Sequence, residues 1–181
     1  MTASSLPAAL RAGAEGLYAL EAATGLIIAH GTWLDRDAFG NFIYHGAGTA
    51  AIDWETGERF LSLRRPLGVT SLGLNQLTLQ PGQRGRIHRH GTQEEIYLVL
   101  RGTLTVKLED GEHELGEGQL MRVAPDVRRQ LVNASDRPVV VVALGAAGEH
   151  VGRDGEAFSA WSETVGRPPQ EVPLPDDLPR R

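Results

Sequence analysis

Two histidines one residue apart, His88 and His90, and a glutamate five residues further on, Glu95, are the residues of this chain best suited to chemistry. In an extended strand, positions i and i+2 project to one face, so both imidazoles point the same way. Gly91-Thr92-Gln93 is short and polar enough to turn the chain. Glu95 then opens the apolar run Ile96 to Leu100, which reads as the next strand. One antiparallel pair would bring two neutral imidazoles and a carboxylate together, the ligand set of a 2-His-1-carboxylate metal site. Arg86 lies two residues before His88, and Tyr97 two residues after Glu95, so each is expected on the same face as its neighbour.

Gly82, His88, His90, Glu95 and Gly102 follow the order Gly, five residues, His-x-His, four residues, Glu, six residues, Gly. This resembles the first signature motif of the cupin family. Glu94 would leave seven residues before Gly102, so the ligand role goes to Glu95. A second stretch, Gly118 to Asn133, resembles the second cupin motif with changes. Ala124 stands at that motif's Pro position, beside Pro125, Asp126 at its Gly position and Arg129 at its His position. The fourth metal ligand that the resemblance implies is thus an arginine, which keeps its proton and has no lone pair to offer a cation. The resemblance covers about residues 70 to 145 and implies a double-sheet jelly-roll barrel and, commonly, a homodimer.

The arginine leaves two readings open. His88, His90 and Glu95 form a three-ligand site for Fe, Mn, Ni or Zn, or a metal-free pocket in which Arg129 pairs with Glu95. In the first, Arg129 or Arg86 clamps an anionic substrate and Tyr97 lines the pocket or donates a proton; open positions suit substrate, water or O₂ on Fe(II), or Lewis-acid work. That is an enzyme of dioxygenase or isomerase type acting on a small anionic metabolite. In the second, the same arginines read an acidic metabolite without catalysis. The bland alternative is a degenerate barrel whose polar residues satisfy one another. His30, His45, His113 and His150 have no partner at ligand spacing.

The elements that must hold these residues are mainly β. Leu72, Leu74, Leu77 and Leu79 precede a Pro81-Gly82 turn, and Leu104, Val106 and Leu108 alternate with polar residues. Glu109 to Glu112 turns a hairpin, Gly116 to Gly118 turns again, and Leu120–Val123 and Val139–Leu144 read as strands. Ile96, Leu98 and Leu100 form a second apolar face on the Glu95 strand, which needs cover from the N-terminal segment or from a second subunit. Residues 1–65 read as a helical extension, with an amphipathic helix from about Leu6 to Ala23 and a shorter one from Asp35 through Phe39, Phe42 and Ile43. Ile52-Asp53-Trp54 suits helix or strand. Residues 66–145 form the barrel, and residues 146–181 a Pro-rich tail. Phe158 and Trp161 are expected to anchor a short helix there, with Pro173 to Pro179 extended on the barrel, crossing to a partner or disordered.

Composition bounds the partners. The 181 residues include no cysteine, which removes disulfides, thiolate nucleophiles and zinc-thiolate sites and fits a cytoplasmic protein. The net charge of −5 argues against a nucleic-acid partner, and residues 1–65 carry five Arg against seven Asp and Glu. No apolar run reaches membrane-spanning length. The 22 Gly and 10 Pro place much of the chain in turns, as a small-stranded barrel requires.

Overall fold

The computed structural model describes residues 33–36, 42–45, 48–146 and 154–179. The chain forms two units, residues 1–51 with 65–68, and residues 52–64 with 69–181. In the first unit, β1 (Trp33–Arg36) and β2 (Phe42–His45) make a two-stranded antiparallel sheet with Asp35 opposite Ile43. The short helix expected from Asp35 to Ile43 is thus corrected to strand at both ends, while Phe39 lies outside the described residues. Trp33, Phe42, Ile43 and Tyr44 are aromatic or β-branched, types that suit a pleated strand and lose rotamer freedom in a helix. The helix expected over Leu6 to Ala23 also lies outside the described residues.

Among the described residues, the second unit carries ten strands. They are β3 (Phe60–Ser62), β4 (Gly73–Leu79), β5 (Ile87–His90), β6 (Glu94–Arg101), β7 (Leu104–Leu108), β8 (Glu112–Leu115), β9 (Leu120–Val123), β10 (Arg129–Val132), β11 (Val139–Ala146) and β12 (Gly155–Phe158). They form two five-stranded antiparallel sheets, ordered β3-β4-β11-β6-β9 and β12-β5-β10-β7-β8. Successive strands mostly change sheet, so most connections cross the space between them; β3–β4 and β7–β8 stay within one sheet. This is the double-sheet jelly roll. Among the described residues, helix is limited to one turn at Arg64–Leu67 and a 3₁₀ turn at Pro169–Glu171.

The core fills the space between the sheets. Tyr97 and Val99 of β6, Leu104 and Val106 of β7, Leu131 of β10 and Val141 of β11 are among its buried members. On β6 the opposite face, Ile96, Leu98 and Leu100, is only half-buried, in the alternation a sheet with one covered face produces. Gly82 and Gly102, the two glycines that bracket the His-His-Glu stretch, both have positive φ, 82° and 81°. A side chain at Gly102 would put Cβ 2.7 Å from the Pro138 carbonyl oxygen, and backbone cannot yield easily there.

The sheets reach beyond residues 66–145. β3 pairs with β4, and β12 pairs with β5 along its whole length. The helix expected at Phe158 and Trp161 is corrected accordingly: Phe158 is the last residue of β12 and 2% exposed, and Trp161 follows in a turn. Val172 is also buried, and residues 173–179 run extended along the barrel. The Leu178 N–H donates to the Gly82 carbonyl at 2.7 Å, and Arg84 Nε to the Asp176 carbonyl at 2.8 Å. Arg59 pairs with Asp177 at 3.1 Å. Residues 52–54 are neither helix nor strand; Asp53 exchanges backbone hydrogen bonds with the buried Gln76 side chain.

Candidate metal centre

His88 and His90 alternate along β5 and point into the barrel, while Glu95 points inward from β6. These strands are not partners. β5 pairs with β10 and β12, and β6 with β11 and β9. The single antiparallel pair expected to assemble the three groups is therefore corrected: they converge across the barrel from facing sheets. The physical reason is the Gly91-Thr92-Gln93 link, which carries the chain from one sheet to the other. Glu94 alternates to the outside, where it pairs with Arg122.

His88 Nε2 stands 3.2 Å from Glu95 Oε2, and His90 Nε2 stands 3.3 Å from Oε1. The two rings meet edge to face with centroids 5.6 Å apart. One ligand atom from each residue lies within 4.8 Å of the others. His88 Nδ1 faces the Arg86 carbonyl at 3.1 Å, an acceptor that calls for a proton on Nδ1. With Nδ1 so engaged, Nε2 is the atom turned to the carboxylate: it donates its proton to Glu95 when the ring is charged and offers a lone pair to a cation when the ring is neutral. The donor set and its orientation thus fit a divalent cation. The three side chains are 23%, 13% and 14% exposed, so a small ligand can reach them.

Behind Glu95 lie two buried groups. The Tyr97 hydroxyl donates to Glu95 Oε2, and Arg129 Nε lies 3.4 Å from the same oxygen. Arg129 sits in register with His88 on the neighbouring strand and is fully buried. Its Nη1 donates to the carbonyls of Val127 at 2.8 Å and Pro125 at 3.2 Å, and its Nη2 to that of Ala124 at 3.3 Å. Only Nε, which makes no hydrogen bond, remains turned toward Glu95. Arg86 turns its guanidinium elsewhere: Nε donates to the Val172 carbonyl. Its backbone carbonyl, not its charge, is what meets His88.

These neighbours set the charge states. Burial works to raise the Glu95 carboxyl, but hydrogen bonds and charge from His88 and His90 hold it well below the usual carboxylate range. Burial, reinforced by the Glu95 charge and only partly offset by Arg129, pushes the Tyr97 phenol well above its ordinary value. Glu95 is therefore an anion and Tyr97 a proton-bearing donor.

Asp154 is the neighbour that motif spacing cannot find. Its Oδ2 accepts the backbone N–H groups of Thr92 at 3.1 Å and Gln93 at 2.9 Å. The same oxygen lies 3.8 Å from His90 Nδ1, which the Gln93 amide meets at 3.3 Å. Burial acts to raise its carboxyl, and these N–H donors with the His90 charge bring it below its ordinary value. A separate groove of about 640 Å³, walled by Glu109, Asp110, Glu112, Arg128 and Trp161 among others, shares no residue with the His-His-Glu cluster.

Residues 75–145 match the family model described as a cupin domain. Over 69 residues the chain is 35% identical to Protein SchB of Streptomyces halstedii, an alignment spanning 38% of this chain and 50% of that protein. The chain thus spans about half the length of the curated relative it matches. A cupin protein of Bacteroides fragilis is similar in structure, with TM-score 0.52 and 22% identity over 67% of this chain and 98% of that one. A sugar phosphate isomerase of the cupin superfamily from Silicibacter pomeroyi has TM-score 0.51 and 24% identity, over 64% of this chain and 79% of that one. At these identities the likeness is one of fold.

Proposed function

We propose that His88, His90 and Glu95, which lie within the residues 75–145 that match the cupin-domain model, hold a divalent metal which acts on a small anionic metabolite. The observation that carries the reading is the convergence of both Nε2 atoms on one carboxylate, with His88 Nδ1 held by a backbone carbonyl. Fe, Mn, Ni or Zn, when bound, would supply Lewis-acid polarisation, or electron transfer in the case of a redox-active metal. Three protein ligands leave positions for the metabolite. The charge balance supports an anion: Glu95 is offset by Arg129, so the cation's charge is not cancelled by the buried groups around it. Arg129 and Tyr97 hold Glu95 in place from behind, where their burial keeps them from bulk solvent. Isomerisation or dioxygen-dependent oxidation are the reaction types this reading favours, in a cytoplasmic homodimer with Ile96, Leu98 and Leu100 at the shared face.

The test is metal analysis after loading with Fe, Mn, Ni and Zn in turn. Wild type is expected to retain about one equivalent of at least one metal, and His88→Ala and Glu95→Gln to lose it. Retention in both variants would place the metal elsewhere. The second reading is a non-catalytic, metal-free cupin that binds a small acidic molecule. The contacts of Tyr97 and Arg129 with Glu95 favour it, because they already compensate the carboxylate without a cation. No metal in loaded wild type, together with saturable binding of an anionic metabolite, would select it.

A further inference from the structure

Both histidines are backed by the same C-terminal segment, outside the residues that match the family model. His88 is backed indirectly: its Nδ1 faces the Arg86 carbonyl, and Arg86 Nε is fixed on the Val172 carbonyl. His90 is backed directly, by Asp154. This carboxylate has few ways to be a bystander. Its side chain is 12% exposed and takes the N–H groups of Thr92 and Gln93 and, at 3.4 Å, the Thr92 hydroxyl. Its own carbonyl takes the Gly91 N–H at 3.1 Å. Three consecutive residues of the link between β5 and β6 are thus tied to one aspartate. That link is what sets Glu95, on one sheet, against His88 and His90, on the other.

Resting on the metal reading above, we propose that Asp154 is a positioning residue for the metal centre. Its charge faces His90 Nδ1 and its oxygens hold the Gly91–Gln93 link, so ligand orientation and ligand spacing are fixed by one group. At 3.8 Å the contact with Nδ1 is electrostatic and not a hydrogen bond. It favours a proton on Nδ1 and leaves the Nε2 lone pair for the cation; the Gln93 amide reaches Nδ1 through its Nε2 at 3.3 Å, so in that tautomer the amide turns over to present its oxygen. Carboxylates behind ligating imidazoles act in this way in metal sites generally.

The experiment is Co²⁺ titration of the full chain, followed by calorimetry and by the visible spectrum. Asp154→Asn keeps an oxygen for the two N–H groups and removes the charge. It is expected to bind Co²⁺ about 10- to 100-fold more weakly, with altered ligand-field bands, which a purely structural role would leave unchanged. An affinity within about twofold of wild type and an identical spectrum overturn the proposal. Failure of wild type itself to bind Co²⁺ or any of the other metals overturns the metal reading, and this one with it. If Asp154→Asn does not fold, hydrogen exchange in the wild-type protein decides. Protection of the Thr92 and Gln93 amides should rise when metal is added, and an unchanged exchange rate overturns the linkage.

Discussion

Arg129 occupies the place where a fourth ligand would sit, and its contacts explain how an arginine is tolerated there. Burying a guanidinium is costly unless its donors are used. Here both Nη nitrogens are spent on the carbonyls of residues 124, 125 and 127, and the charge lies beside Glu95. Arg129→Met should therefore destabilise the metal-free protein by about 3–5 kcal/mol in urea unfolding, since it strands both a carboxylate and three carbonyls. Arg129→His has a divided outcome. Metal affinity should rise as a ligand appears and a like charge disappears, while the metal-free form melts lower because the carbonyls lose their donors. An unchanged affinity would show that three ligands suffice. Glu95 supplies the pH dependence. Its folded pKa is depressed below the unfolded value of about 4.3. The stability it contributes is then fully present above about pH 4.3 and is lost as pH falls through the folded value. Urea midpoints of metal-free protein between about pH 2 and 6 should show a shallower acid limb in Glu95→Gln. The convergence of His88, His90 and Glu95 was legible from spacing, and so was the presence of an arginine at the altered position. What Arg129 touches was not, because the loop carbonyls that absorb its donors carry no residue-type signal. Asp154 was invisible for a different reason: nothing in its own neighbourhood distinguishes it, and only the pairing of β12 with β5 brings it to His90.

At the scale of elements, alternation revealed most strands but not their partners. β4, β7, β9 and β11 were readable because one face of each meets a shared core. Sheet membership depends on contacts distant in sequence, which is why β5 and β6 resemble a hairpin on paper and lie in opposite sheets in the fold. β12 was hidden by the opposite effect. Gly155 to Phe158 is short and half polar, and its stability comes from its setting: four residues in register with β5, and Phe158 flanked by the guanidinium groups of Arg89 at 5.6 Å and Arg128 at 5.1 Å. The two motif glycines are elements' hinges in the literal sense of backbone angle. Gly102→Ala should cost at least about 1–2 kcal/mol from its left-handed φ alone, and more because the Pro138 carbonyl stands in the way of Cβ. Chemical unfolding measures this. A loss under about half a kcal/mol would mean that the turn between β6 and β7 can relax in a way these distances do not allow.

At the scale of the molecule, the family match and the folded unit do not coincide. The match ends at residue 145, yet the second sheet has β12 at its edge and the segment to residue 179 is latched to the Gly82–Arg86 stretch just before the histidines. Composition left the Pro-rich tail extended on the barrel, crossing to a partner or disordered, since prolines exclude helix and central strand. They do not exclude an extended strap, and burial of Phe158 and Val172 holds one in place. Each such side chain contributes about 1.5–3 kcal/mol when fully buried, a large part of the net stability of about 5–15 kcal/mol usual for a domain. A chain ending at residue 146 should therefore be far less stable than the full one, with the β5 edge exposed beside His88 and His90 and metal retention lost. Thermal unfolding and metal analysis of the two lengths read both effects. Equal melting temperatures and equal metal content would show that residues 75–145 hold the centre unaided, and that the strap is a passenger on the barrel.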